Sequence, residues 1–284
     1  MTAQPPPGEI PTMRDPSFLR DVQYVTTGNL DARASLHQRY STADQEWFSW
    51  LSSQVDWRAY GSVLEVGCGT GLLWDKVDVD AVAHLELTLT DISAAMLEAA
   101  SAIARPVVGS LRGLRAEVEA LPLSDASFDL VVANHMLYHA TDPRAALGEL
   151  VRVLRCEGVL VASTNGTRHL AELYEIDTAV FGSSSRHNNH AEVFGRESGL
   201  AVLREVFDDV EWRAHPDALA CTDVDDVVAY LLSAPPGIYA SLEQTRQLNL
   251  EVSSRMASSG GVLGVSKDAG VFLCRSPNAG RGSP

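Results

Sequence analysis

Apolar residues recur along the chain in two rhythms, and the switch from one to the other divides it. From Asn29 to Gln54 they follow a helical face, with Leu30, Ala34 and His37 on one side, then Trp47, Trp50 and Leu51. Between these runs, Thr42-x-x-Gln45 can act as a capping box, so two helices with an aromatic stripe are predicted. Between Ser62 and Ser163 short β-branched runs alternate with helical stretches, the pattern of βαβ units in a parallel sheet. Strands are predicted over Val63 to Val66, Leu85 to Thr90, Leu114 to Val118, Phe128 to Asn134 and Val159 to Ser163. The intervening helices are expected over Leu72 to Val77, Ser93 to Ala102 and Pro143 to Leu154. Each strand runs out on a Gly, Asp or Asn, and ligands of open α/β sheets bind beyond those carboxyl ends.

After Asn165 the alternation loosens. Helices are expected over His169 to Val180, Glu197 to Phe207, Thr222 to Leu232 and Ser241 to Met256. Val210 to Arg213 and Gly270 to Cys274 read as strands, and Gly182 to Asn189 as a polar loop. Pro5, Pro6, Pro7, Pro11 and Pro16 fix φ and remove donors, which predicts a tail over residues 1–20; a second tail is expected over 277–284. A helical lid over 21–58 and one α/β domain over 59–276 complete the expected organisation.

Composition narrows the class. The chain has 284 residues, 45% hydrophobic and 21% charged, ample for a packed core and too apolar for disorder. Its formal net charge of −15 repels phosphate backbones and anionic lipid, so neither a nucleic acid nor a membrane is an expected partner. No apolar run reaches membrane-span length and no hydrophobic signal core precedes Pro16, which predicts a cytoplasmic protein. Cys68, Cys156, Cys221 and Cys274 are widely spaced, and His187 and His190 lack a partnering Cys, so neither disulfide nor metal is expected.

The strongest chemical signal is Val63-Leu64-Glu65-Val66-Gly67-Cys68-Gly69-Thr70-Gly71, a strand entering a glycine turn ahead of a predicted helix. Glycines permit a tight turn and close ligand approach, while a helix start offers free N–H groups. A dinucleotide fingerprint spaces its third glycine one residue later, where Leu72 stands, which argues against NAD. Asp91 follows Gly71 at about the spacing of a ribose-binding carboxylate, and Ile92 offers an apolar surface for a purine. Ser93 is placed to cap the helix carrying Met96. At Glu117-Val118 a carboxylate and a backbone N–H are placed to meet an adenine.

Together these residues resemble the class I S-adenosylmethionine-dependent methyltransferases of the small-molecule type, over about Leu64 to Thr164. The resemblance implies a doubly wound, seven-stranded, mostly parallel Rossmann-like sheet with an N-terminal helical lid. It also implies that Glu65, Gly67, Gly69 and Gly71 hold the methionyl part of the cofactor, Asp91 with Ile92 and Met96 the ribose side, and Glu117 with Val118 the adenine. The family more often has Asp where Glu117 stands, and Cys156-Glu157 replaces its common Pro-Gly. Asn29 to Ser41 is similar to the lid helices of bacterial small-molecule enzymes, and the whole chain to indole C3-methyltransferases of actinomycete pyrroloindoline pathways. The implied activity is methyl transfer to a small aromatic or heteroaromatic metabolite, best an indole carbon, releasing S-adenosylhomocysteine. An O- or N-methyltransferase, or a non-catalytic cofactor-binding protein, is the alternative; a homodimer is compatible with the sequence.

Such a transfer needs the acceptor positioned and one proton managed. Candidate groups are His135 and His139 after the fourth strand, Glu119 in the adenine loop, and Tyr24, whose hydroxyl can join Glu119 in a relay. Arg33 and Arg39 can clamp the cofactor's carboxylate, Arg33 being the expected cofactor contact, or form surface ion pairs. Asn134, closing the fourth strand, is a further expected cofactor contact, and Asn165 either faces the acceptor or serves a turn. Trp47, Trp50, Trp57 and Trp74 read as core rather than a stacking cage.

Overall fold

A computed structural model describes residues 35–182 and 190–277. Its strands are β1 Ser62–Val66, β2 Glu86–Asp91, β3 Ser110–Arg115, β4 Phe128–Asn134, β5 Leu154–Asn165, β6 Phe207–His215, β7 Ala218–Cys221, β8 Leu263–Ser266 and β9 Ala269–Pro277. The helices are α1 Trp47–Ser53, α2 Val79–Val82, α3 Ala94–Ala104, α4 Pro143–Val153, α5 Ala171–Phe181, α6 His190–Phe194, α7 Arg196–Val206, α8 Val224–Leu232 and α9 Leu242–Ser258.

The β-branched runs assemble into a seven-stranded sheet in the order β3-β2-β1-β4-β5-β9-β6. Neighbours among β1 to β5 pair in parallel, while β9 runs antiparallel to both β5 and β6. Both faces are covered, which explains why the central strands are apolar at successive positions. On one face Val131, Ala133, Leu160, Ala162 and Phe272 pack with Leu147 and Leu150 of α4 and Leu203 of α7. On the other, Val63, Leu89, Val132, Val161 and Val271 pack with Trp50 and Leu51 of α1 and Ala100 of α3. The fold is thus the doubly wound α/β sheet expected from the sequence.

Strand direction places Asp91, Asn134, Asn165 and His215 at one edge, where β9 begins opposite both Asn165 and His215 at Ala269. Helix starts at this edge are capped by short polar side chains. Ser93 Oγ accepts from the Met96 N–H, and Asp142 accepts from the Arg144 and Ala145 N–H groups ahead of Pro143 in the first turn.

Where one domain over 59–276 was expected, the chain divides into two compact units. The sheet unit comprises Trp47–Thr167, His190–His215 and the described part of Ala269–Pro284, so α1, expected in the lid, packs in the sheet core. The second unit comprises the described residues of Met1–Glu46, Arg168–Asn189 and Pro216–Asp268. It holds the antiparallel pair β7 and β8 and a core of Leu36, Leu173, Leu219, Leu231, Leu248 and Val265. There Asp217 accepts from Ser41 Oγ at 2.7 Å and pairs with the nearly buried Lys267.

Three local expectations are corrected. Leu72 to Val77 forms consecutive turns, with Trp74 N bonded to Gly71 O and Lys76 N to Leu73 O, and no α-helix. The third strand lies four residues earlier than predicted at its start, because exposed Arg112 and Arg115 on this edge strand mask its alternation. Thr42 does not cap α1; its N–H and hydroxyl both donate to Ala218 O. The pair β7 and β8, and the short helices α2 and α6, were not anticipated.

Candidate active site

The glycine turn after β1 has positive φ at Gly67 (60°), Gly69 (53°) and Gly71 (80°), conformations that disfavour side chains. The three serve different ends. A Cβ at Gly71 would lie 2.6 Å from Ala100 Cα in α3, and one at Gly67 would lie 2.8 Å from Met136 Cβ, so both permit close packing. A Cβ at Gly69 would meet nothing within 4 Å, so this residue borders open space.

Two carboxylates bracket the turn. Asp91 accepts from the Gly69 N–H at 3.0 Å through one oxygen and from the Ser93 N–H at 2.8 Å through the other. Burial pushes its carboxyl above the ordinary range against the pull of these bonds. Glu65, only 2% exposed, accepts from the Trp74 indole N–H at 2.6 Å. Desolvation raises Glu65 to about 8, the Trp74 bond opposing the rise and the Asp91 charge adding to it.

Beyond β4 lies a network of rings and hydrogen bonds. Asn134 Oδ1 accepts from Ser163 Oγ at 2.6 Å and from the Trp47 indole N–H at 3.3 Å. The His135 N–H donates to the same Ser163 Oγ at 2.9 Å, in a backbone held at φ 51°. The His135 ring centroid is 4.7 Å from Trp47 and 6.2 Å from Tyr138. His215, at the end of β6 and 4% exposed, stands 4.9 Å from Trp50 and 5.4 Å from Trp47. His139 stacks edge-on against Tyr138 at 4.6 Å.

The remaining expected residues are dispersed. Asp91, Gly69 and half-buried Ile92 meet at the ends of β1 and β2, with Met96 buried in α3 nearby in sequence. Glu117 is exposed and Val118 buried in the sheet core, both in the loop after β3. Glu119 has a structural job: its Oε1 accepts from the Thr141 N–H at 2.7 Å and the Asp142 N–H at 3.4 Å, tying the adenine loop to the start of α4. These bonds engage Oε1 of the expected base. Tyr24, Arg33 and His187 lie outside the described residues. Arg39 pairs with Asp226 at 2.6 Å.

Ser163 and His215 join the site unheralded by any motif in the sequence, and Trp47 and Trp50, which read as core, line it as well. Period-two alternation was the available signal, since Ser163 follows Val159 and Val161 on one face and His215 follows Glu211 and Arg213.

Residues 64–162 match the family described as methyltransferase domain. The malonyl-[acyl-carrier protein] O-methyltransferase of Pseudescherichia vulneris is 33% identical over 183 residues, covering 64% of this chain and 66% of its own. That of Enterobacter lignolyticus (strain SCF1) is 32% identical over 179 residues, covering 62% and 67%. Matches to the curated relatives span between 39% and 67% of those proteins' lengths. A Haemonchus contortus phosphoethanolamine N-methyltransferase, solved with S-adenosylhomocysteine, shares the fold at TM-score 0.54 and 14% identity over 95% of this chain and 61% of its own. The glycine turn and this strand order are those of the doubly wound α/β folds that bind nucleotides at the carboxyl ends of their strands. The chain belongs to the class I S-adenosylmethionine-dependent methyltransferases. S-adenosylmethionine is the cofactor of that family and S-adenosylhomocysteine its product.

Proposed function

We propose that this protein methylates a small acceptor that rests against the Trp47, Trp50, His135 and His215 rings. The observation that carries the reading is the gathering of these rings at the end of β4, on the sheet edge that also holds Gly69 and Asp91. The residues present suit the cofactor. Gly69 borders open space, and Asp91 is a desolvated carboxylate whose gain from ribose hydroxyl donors exceeds that of a solvated acid. Gly67 and Gly71 shape the turn that follows Glu65, Ile92 and Met96 are the proposed contacts on the ribose side with Asp91, and Glu117 and Val118 the proposed adenine contacts. When bound, the sulfonium supplies an already activated methyl group.

What the chain itself contributes is position and proton control. Indole and imidazole faces hold a flat molecule by stacking, and expulsion of water strengthens polar contacts made there. With Glu119 bonded to backbone, His135 is the proposed proton acceptor, its ring set by the Ser163 bond to its own N–H. His139, behind Tyr138, is assigned to packing. Tyr24 and Arg33 are retained as proposed contributions of the segment ahead of α1.

The expected indole carbon acceptor is one occupant of such a site. The relatives' names favour another, a carboxylate carried on an acyl carrier, because two of them at 32% and 33% identity are O-methyltransferases. Titration calorimetry with S-adenosylhomocysteine, then turnover with indoles, phenols, amines and a malonyl thioester followed by product mass, tests the reading. A 14 Da gain on any of these, lost in His135→Ala with cofactor affinity kept, supports it. Absence of cofactor binding rejects it.

A further inference from the structure

Asn134 and Ser163 are register partners on β4 and β5, and Asn165 follows two residues later on the same face as Ser163. Chemistry fixes which way the Asn134 amide faces. The Trp47 indole N–H can only donate, and the Ser163 hydroxyl, already accepting from the His135 N–H, has its own proton to give. Both reach Asn134 Oδ1, at 3.3 and 2.6 Å. Its NH2 group is therefore turned away from both partners with two protons to donate.

Asn165 stands in the opposite state. Its Oδ1 is buried and has no hydrogen-bond partner. A buried carbonyl without a donor is a standing cost, and native proteins place such groups where a ligand or water completes them. Adjacent strands lie about 4.8 Å apart and alternate residues about 6.6 Å along a strand, so one planar group can reach both amides.

We infer that Asn134 and Asn165 form a donor and acceptor pair that recognises an amide edge, a carbonyl beside an N–H, on the acceptor molecule. Asn134 donates to the carbonyl oxygen and Asn165 accepts from the N–H. Trp47, which fixes Asn134, also belongs to the cluster of rings with His135, so a lactam fused to an aromatic ring adds its ring to that cluster while satisfying the amides. This assignment deepens the methyltransferase reading and rests on it for the identity of the site.

The test uses the full chain, with and without S-adenosylhomocysteine, and three flat probes: oxindole, N-methyloxindole, which lacks the donor, and indoline, which lacks the carbonyl. Calorimetry is expected to find oxindole bound at least about tenfold more tightly than either. Asn165→Leu erases the advantage over N-methyloxindole. Asn134→Asp, which keeps an oxygen for Trp47 and Ser163, erases the advantage over indoline. Ligand-free Asn165→Leu keeps or raises the wild-type Tm, since an orphan amide is removed. Equal binding of the three probes, binding of none, or a lowered Tm in Asn165→Leu overturns the pair. Failure of the wild type to bind S-adenosylhomocysteine removes the methyltransferase reading instead, while the preference measured without it still decides the amide assignment.

Discussion

Glu65 shows at the residue scale how burial converts an acid into a pH-dependent element of stability. Its carboxyl titrates near 4.5 when unfolded and about 8 when folded, held up by desolvation. Between those values the folded chain keeps a proton that the unfolded chain has released. Stability contributed by the protonated group is therefore complete below about pH 4.5 and is lost as pH rises towards 8, by about 1.4 kcal/mol per unit. Glu65→Gln keeps an oxygen for Trp74 and carries no charge. Its Tm relative to wild type is expected to climb from pH 5 to pH 8.5 in ligand-free melts; a constant difference would place an ionised Glu65 in the folded state. The glycines separate packing from binding in the same way. Gly71→Ala meets Ala100 Cα at 2.6 Å as well as an adverse φ, and should cost about 3 kcal/mol in urea unfolding. Gly69→Ala meets no atom, and should cost about 1 kcal/mol. The ranking inverts in calorimetry if the cofactor lies over Gly69: Gly69→Ala then loses the larger share of S-adenosylhomocysteine affinity per unit of stability lost.

Elements were legible in the sequence wherever burial on two faces dictated the pattern, and illegible where partners came from far along the chain. Val63 to Val66 and Phe128 to Asn134 announce themselves because both faces of β1 and β4 are covered. Leu72 to Val77 reads as helix from composition, yet Trp74 is drawn to Glu65 and the segment closes as turns. Leu263–Ser266 and Ala218–Cys221 are too short to show a period, and each is a strand only because it has the other. The site divides similarly: spacing exposed Gly69 and Asp91, whereas the Ser163 bridge between Asn134 and His135 depends on strand order. Glu119 belongs to this scale, since it joins the loop after β3 to α4 beside the Asp142 cap. Glu119→Gln retains an accepting oxygen and should keep turnover within about threefold, where loss of a general base costs about a hundredfold or more. Asp142→Ala should lower stability by about 1 kcal/mol in urea without changing the pH dependence of the rate. A hundredfold fall in Glu119→Gln at wild-type Tm would return Glu119 to the chemistry.

Charge acts on the whole molecule. A formal −15 on 284 residues is an excess that neither unit's ion pairs cancel, and repulsion among like charges opposes the compact state more than the expanded one. Exposed pairs such as Arg275 with Asp209 and Arg39 with Asp226 pull the other way, but each contributes about 1 kcal/mol or less. Salt weakens both contributions, and their reach decides which dominates. The Debye length falls from about 30 Å at 0.01 M to about 8 Å at 0.15 M, which screens distant repulsion across the surface while leaving pairs at 3.0 Å and 2.6 Å largely intact. Tm is accordingly expected to rise by a few degrees between 10 and 150 mM NaCl at pH 7.5, read by scanning calorimetry without ligand; a falling Tm would mean that close pairs, not net charge, govern the fold. The same field acts on whatever approaches the sheet edge. A neutral amide-bearing acceptor should associate at a rate nearly independent of salt, whereas a malonyl thioester, anionic itself, should associate faster as salt rises. Stopped-flow Trp fluorescence at the two ionic strengths therefore separates the two acceptor classes by kinetics, independently of which one turns over.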